Sequence, residues 1–399
     1  MSVASSQRQV YLRLLAPLRL RWHRELDLPA QIQRLLAGER AFGSRDRRLY
    51  RELIYTTLRY LPWVEPWLDR DPDRAAKIVA WLAAETRDTA AYRAAHCADW
   101  PVVNSLADRT AFLEADSSAL LPAWFRDECP EAFAPAELEA QLARAPLWLR
   151  LQTDDHDAVA AEFASKGWRV QPSALLPSAW RVRDEADVTQ SAAYTGGSVE
   201  IQDLGSQLVL ESVGPKPGGR WLDACAGAGG KSLQLARLLG PDGRVEAHDI
   251  RRGALAELKL RAARAGIGNV STTTRPSTGD YDGVLVDAPC SGSGTWRRAP
   301  HLKWATTPKL VASRAALQQE LLARFAGGVR PGGLLVYATC SLCQQENAAV
   351  VSAFLASHAD FAPTPFASTF GFAPGPAGLT ILPARHETDG FFVAALLRR

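Results

Sequence analysis

A chain of 399 residues exceeds what one hydrophobic core usually organises, so two or three domains are expected. At 47% hydrophobic and 22% charged residues it has the composition of a globular protein, which excludes a disordered or fibrous chain. The net charge of +3 is unevenly spread: residues 1–60 hold twelve arginines against Glu25, Asp27, Glu39, Asp46 and Glu52, a local +7 that points to a polyanionic partner.

Residues 1–118 read as helical. The N-terminal stretch from Met1 to Arg8 has no apolar segment, and no window approaches the roughly eighteen apolar residues of a span. Neither a signal peptide nor a membrane span is expected, and the protein is placed in the cytoplasm. Leu49, Leu53, Ile54, Leu58 and Leu61 recur at helical spacing, with Ser44 as the cap and Pro62 at the end. The arginines take the other positions, where a solvated face is the plainest reading. Pro122, Pro130, Pro135 and Pro146 punctuate the next region. There Leu147-Trp-Leu-Arg-Leu and Ala179-Trp-Arg-Val read as strands around a helix at 158–166, a small α+β linker domain over 119–198.

From residue 199 onward strands and helices alternate. Strands are expected at 220–224, 244–249, 270–274, 284–287 and 334–338, and helices at 231–239, 252–265 and 308–325, with a turn at Pro331-Gly-Gly. Such alternation implies a parallel sheet covered on both faces, with ligands beyond the carboxyl ends of its strands.

Three of these strands run into residues suited to chemistry. The first enters Asp223-Ala-Cys-Ala-Gly-Ala-Gly-Gly-Lys-Ser, a glycine-rich turn that lets backbone approach a ligand and aims a helix N-terminus at it. Gly230-Lys231-Ser232 fits the end of a phosphate loop, but the position needing glycine is Cys225. The other reading is an adenosine-type cofactor, since Asp249 closes the second strand where an acid would grip ribose hydroxyls. The fourth strand ends in Asp287-Ala-Pro-Cys290-Ser-Gly-Ser-Gly and the fifth in Tyr337-Ala-Thr-Cys340-Ser-Leu-Cys343. If these strands are neighbours, about 4.8 Å apart, two thiols and an acid converge on one edge. A helix beginning near Gln344 would favour a thiolate at Cys340. Six cysteines in a chain this long do not make a disulfide framework, and in a reducing compartment they are expected as free thiols. No second Cys/His pair accompanies Cys340-x-x-Cys343, so no metal is expected. Cys97, Cys129 and Cys225 read as small buried apolar groups.

These motifs in this order, with Gln202-Asp-Leu-Gly-Ser-Gln207, Trp296-Arg-Arg-Ala-Pro-His-Leu-Lys-Trp304, Glu346-Asn347 and Asp389-Gly-Phe-Phe392, resemble the RNA 5-methylcytosine methyltransferases of the RsmB/NSUN group over about residues 120–399. The N-terminal helices are similar to the NusB-like RNA-binding domain of the bacterial RsmB-type members. The resemblance implies an α/β fold: a Rossmann-like seven-stranded S-adenosylmethionine-dependent methyltransferase domain over 199–399, preceded by a small α+β linker domain and an all-α N-terminal domain. It implies a monomeric transferase active in rRNA processing, with RNA, in particular ribosomal RNA, as its partner. Cys340 would be the nucleophile at cytosine C6, Cys290 would assist removal of the C5 proton, and Asp287 would bind the base. Lys231 would contact Asp287 or the cofactor. S-adenosylmethionine would lie against Asp223, Ala224, Cys225, Ala226, Gly227, Gly229, Lys231, Asp249 and Asp287.

The chain departs from the group's pattern in three places. Gly227-Ala228 stands for the usual alanine-proline, the arginine after the second-strand acid is displaced to Arg251 or Arg252, and the acid expected after the third strand is missing from Thr272-Thr-Thr-Arg-Pro276, leaving Asp280 as a poor candidate. Two other functions are weighed: a phosphate-loop ATPase using residues 225–232 and 284–287, and a catalytically inactive RNA-binding adaptor.

Overall fold

A computed structural model describes residues 3–399. Met1 and Ser2, the start of the stretch examined for a targeting signal, lie outside the described residues. The described chain separates into two units, one running to Arg144 and taking in Thr295–Pro308, the other formed by Ala145–Gly294 with Lys309–Arg399. The helical unit therefore extends past residue 118 and includes a segment from just beyond the Cys290 motif. The strands of the expected linker share the second unit with the large sheet.

The first unit contains α1 (Val3–Arg19), α2 (Leu28–Gly38), α3 (Ser44–Arg59), α4 (Leu61–Arg70), α5 (Pro72–Leu82), α6 (Ala90–Cys97), α7 (Leu106–Leu113), α8 (Phe125–Glu128) and α9 (Pro135–Leu142). The expected apolar stripe of α3 is buried, as is Leu61. Gly43 rather than Ser44 is the cap residue, its amide donating to Asp46 Oδ2 at 3.0 Å, and Pro62 opens α4. Arg45, Arg48 and Arg51 are exposed. Arg59 is not part of a solvated face: it is buried, with Nη2 3.5 Å from the Arg297 carbonyl. Lys303 Nζ donates to the Arg59 carbonyl at 2.9 Å and Trp304 Nε1 to that of Leu58 at 2.6 Å. The segment 295–308 thus caps two of the last carbonyls of α3, which lack helical partners.

The second unit opens with β1 (Leu147–Leu151), α10 (His156–Ser165), β2 (Val170–Pro172), β3 (Ala179–Val182), α11 (Ala192–Thr195) and β4 (Val199–Ile201), whose strands form a sheet in the order β2-β3-β1-β4. Next come α12 (Leu204–Val213), β5 (Arg220–Asp223), α13 (Gly230–Leu239), β6 (Arg244–His248), α14 (Arg252–Arg264), β7 (Val270–Thr273) and β8 (Tyr281–Asp287). After α15 (Pro300–Ala305), which belongs to the helical unit, the chain continues through α16 (Pro308–Ala326), β9 (Val329–Thr339), α17 (Ala348–Ser357), β10 (Phe361–Pro363), β11 (Leu379–Ile381), α18 (Pro383–His386) and β12 (Phe391–Arg398).

The large sheet has the order β10-β12-β9-β8-β5-β6-β7, seven strands in line, with β11 paired to β12. The strands from β9 to β7 are parallel, and β12 runs antiparallel to β9. The two-residue period of a strand splits β8 between the faces: Val284 and Val286 pack with Leu322 and Phe354, whereas Leu285 packs with Leu208 and Leu235. Apolar residues on both faces are what a parallel sheet buried under helices requires. β9 passes through Pro331-Gly332-Gly333 with an irregular register, so the expected turn is absorbed into the strand. Among the described residues no helix is long and apolar enough to cross a membrane.

Candidate active site

Three neighbouring parallel strands, β6, β5 and β8, deliver Asp249, Asp223 and Asp287 to the carboxyl edge of the sheet, and β9 delivers Cys340 beside them. The loop after β5 is laced to its neighbours by Ala224 N to Leu285 O and Ala226 N to His248 O, both 2.8 Å. Its turn into α13 needs glycine at 229, where φ is +89° and an added Cβ would lie 2.5 Å from Leu258 Cγ.

Asp223 is buried and accepts the Ser232 hydroxyl at 2.6 Å. Burial pushes its carboxyl up to about 7, with the Ser232 bond opposing and Asp287 adding to the rise. Cys225, expected buried, is only half-buried. Burial raises its thiol, and Asp223, Asp287 and Asp249 raise it further, which marks the three carboxylates as close neighbours of one loop. Asp249 Oδ2 accepts Gly227 N at 2.9 Å and Oδ1 accepts Arg251 N at 2.8 Å; the Arg251 guanidinium adds one bond to each oxygen, at 3.0 and 2.9 Å. Burial works against ionisation here, yet these bonds hold Asp249 below the usual carboxylate range.

Lys231 contacts Asp287, one of the two partners open to it: Nζ lies 2.9 Å from Oδ2, and the Phe391 ring is 5.1 Å away. Cys290 and Cys340 meet as expected, with Sγ atoms 3.4 Å apart and both residues half-buried. The Cys340 sulfur first and burial second raise the Cys290 thiol well above its ordinary value. The helix expected near Gln344 begins instead at Ala348, after a turn over 344–347. Cys97 and Cys129 are buried as expected. Asp280 enters the N-terminal end of β8, at the edge of the sheet opposite to the three acids, which rules it out as a replacement for the missing acid.

Some residues of this edge had no role in the reading of the sequence. Ile250 is 81% exposed beside Asp249, an apolar side chain offered to the ligand edge; its only sequence signal is an isolated apolar residue between charged ones. Glu346 is fully buried, and its carboxylate accepts from Ser291 N (2.7 Å), Ser291 Oγ (2.5 Å), Ser341 Oγ (2.6 Å) and Gln318 Nε2 (3.0 Å). Asp203 joins two of the quoted motifs, since its Oδ1 accepts Gly205 N at 2.8 Å and Asp389 N at 3.0 Å. Gly294 closes the loop after Cys290 against Gly390: the Gly390 amide donates to its carbonyl at 2.7 Å, and a Cβ on Gly294 would lie 2.1 Å from Gly390 O.

A nucleoside cofactor fits this donor set. With the exposed Arg251 side chain turned aside, each oxygen of Asp249 keeps one backbone amide and has capacity for one ribose hydroxyl. Ile250, exposed beside Asp249, would offer apolar surface to a base, and the backbone of residues 226–229 would permit close approach.

Residues 210–397 match the family model described as 16S rRNA methyltransferase RsmB/F. A ribosomal RNA small subunit methyltransferase B of Vibrio cholerae is 32% identical over 296 residues, covering 70% of this chain and 65% of its own length. That of Salmonella arizonae is 32% identical over 304 residues, covering 72% and 68%. The chain thus spans about two thirds of the length of these relatives. The crystal structure of a methyltransferase homologue from Pyrococcus horikoshii superposes with a TM-score of 0.59 at 26% identity, over 69% of this chain and 93% of that one. The phosphate-loop reading of residues 225–232 is accordingly dropped. Similarity of this extent, running through the sheet and both cysteine loops, makes the chain a member of the RsmB/F family of 16S rRNA methyltransferases, whose methyl donor is S-adenosylmethionine.

Proposed function

We propose that this protein methylates C5 of a cytosine in small-subunit ribosomal RNA through a covalent bond between Cys340 and C6. The observation that carries the reading is the 3.4 Å separation of the Cys290 and Cys340 sulfurs at the ends of adjacent strands, on the edge that also holds Asp287.

C5 of cytosine is a poor nucleophile, and addition of a thiolate to C6 makes it enamine-like. Cys340 forms the S–C6 bond as the C5=C6 π pair moves into the ring. Asp287, held by Lys231 Nζ at 2.9 Å, hydrogen-bonds the base near N3 and passes to N3 the proton that the Cys340 thiol gives up, which neutralises the charge developing there. Bound S-adenosylmethionine supplies an electrophilic methyl group to C5. With S-adenosylhomocysteine as the spent donor, Cys290, as thiolate after its own proton has passed to water, takes the C5 proton, the pair returns to C5=C6 as N3 gives up its proton, and Cys340 leaves as thiolate. The target base must be unpaired or extruded to reach this edge.

Four proteins test the reading: wild type, Cys340→Ala, Cys290→Ala and the double variant, each incubated with unmethylated small-subunit RNA transcript and S-adenosylmethionine. Cys290→Ala is expected to accumulate a protein–RNA species that survives denaturing electrophoresis, and Cys340→Ala and the double variant to form none. An adduct in Cys340→Ala but not in Cys290→Ala would assign the nucleophile to the other strand. Turnover by wild type also separates an enzyme from an inactive adaptor.

A further inference from the structure

We propose that Glu346 is a positioning residue that sets the distance between the two reacting thiols. Its carboxylate reaches the residue immediately after each cysteine: Ser291, through both amide and hydroxyl, and Ser341, through its hydroxyl. Gln318, from α16, bonds the same carboxylate and also the Pro289 carbonyl, the residue before Cys290, both at 3.0 Å. The backbone of Glu346 is itself anchored, its carbonyl accepting the Tyr337 hydroxyl at 2.5 Å. One side chain therefore ties the loop after β8, the loop after β9 and the long helix between them in sequence.

The choice of residue follows from the partners. Ser291 N and Gln318 Nε2 can only donate, and they fall on Oε1; two hydroxyls fall on Oε2. A carboxylate accepts at all four sites and offers no donor of its own to conflict with them. Bonds to an ionised acceptor are shorter and stronger than neutral ones, and four of them offset the burial of the charge. The two loops also bond each other directly, Gly294 N to the Cys340 carbonyl at 3.0 Å, Leu342 N to Ser293 Oγ at 2.8 Å and Ser293 Oγ with Ser341 Oγ at 2.9 Å; the Glu346 carboxylate adds to these ties the residue that follows each cysteine, and so helps to fix the 3.4 Å separation of the sulfurs. Displacement by about 1 Å costs on the order of a hundredfold in rate where geometry is part of catalysis.

The inference rests on Cys290 and Cys340 as the reacting pair, so its test reads their separation without RNA or cofactor. Diamide converts two neighbouring thiols to a disulfide while it is itself reduced to the hydrazine, and peptide mapping assigns the bond to Cys290 and Cys340. Relative to wild type, Glu346→Gln should slow this closure about tenfold and Glu346→Ala more. Gln is the milder change because its amide can face the two hydroxyls, which reverse direction. Single-turnover methylation of the RNA transcript should fall in the same order, by about ten- to a hundredfold, while the S-adenosylmethionine dissociation constant stays within about twofold. Should Glu346→Ala fail to fold, Ser291→Ala removes one arm of the bridge and should act in the same direction. Folded variants that close the disulfide and methylate at wild-type rates overturn the proposal, and so does slowed closure with unchanged methylation. Full methylation by Cys340→Ala would defeat the cysteine mechanism instead, and leaves the disulfide measurement to be read by itself.

Discussion

Arg251 donates to both oxygens of Asp249, and the two residues are expected to affect cofactor binding with opposite signs. Asp249→Ala removes the acceptor for the ribose hydroxyls and should raise the S-adenosylmethionine dissociation constant about ten- to a hundredfold, on the order of 1.5–3 kcal/mol. Arg251→Ala frees the carboxylate from a competing donor and should leave the constant unchanged or lower it. Calorimetry on both variants decides: a tenfold weakening in Arg251→Ala would place the guanidinium on the cofactor itself. At this scale the sequence was informative wherever a residue ends a strand. Asp223, Asp249, Asp287, Cys290 and Cys340 were all legible because a parallel sheet gathers its carboxyl ends on one edge. Glu346 was visible as part of a motif, but its bonds to Ser291 and Gln318 span 55 and 28 residues and leave no local pattern to read.

The strands and helices of the large sheet fall within a few residues of the positions their periodicity implies, because burial on both faces demands nearly continuous apolar runs. The exceptions have local causes. Residues 344–347 form a turn in which the Glu346 and Asn347 amides bond back to Cys343 and Gln344, and this delays α17 until Ala348. In the helical unit, charge alone overstated the number of available arginines. Arg8, Arg13, Arg19 and Arg48 are engaged by Asp73, Glu39, Asp69 and Asp88 at 2.5–3.1 Å, and Arg59 is buried. Arg45 and Arg51 stand exposed on α3. If the unit holds RNA through phosphate contacts, Arg45→Ala with Arg51→Ala should weaken binding and reduce the slope of log affinity against log salt by about 2, whereas Arg13→Ala with Arg19→Ala should change the slope little. Equal slopes for the two double variants would mean that α3 is not the contact face.

At the scale of the whole chain, the separation of helical and sheet regions was legible from composition and spacing, but the membership of 295–308 was not. Nothing in Trp296-Arg-Arg-Ala-Pro-His-Leu-Lys-Trp304 records which earlier residues it packs against, since hydrogen bonds to Leu58 and Arg59 are tertiary and aperiodic. Trp296 is buried at 1% exposure with its ring 4.5 Å from that of Phe125. A fragment of residues 145–399 therefore carries a segment whose apolar partners have been removed. It should bind more of a hydrophobic dye and melt lower than the same fragment with 295–308 replaced by a glycine–serine linker; identical dye binding and melting would show that the segment finds other cover.

The capping of α3 by Lys303 has a further consequence in time. The two residues that meet, Arg59 and Lys303, are 244 positions apart. At a synthesis rate of roughly 5–20 residues per second, α3 leaves the ribosome on the order of ten to fifty seconds before its cap exists. During that interval nearly all of the helical unit is made but the carbonyls of Leu58 and Arg59 have only water to bond. Most of the parallel strands that later flank the cysteines are synthesised in the same interval. The N-terminal unit is therefore complete in sequence only after β8 has been synthesised.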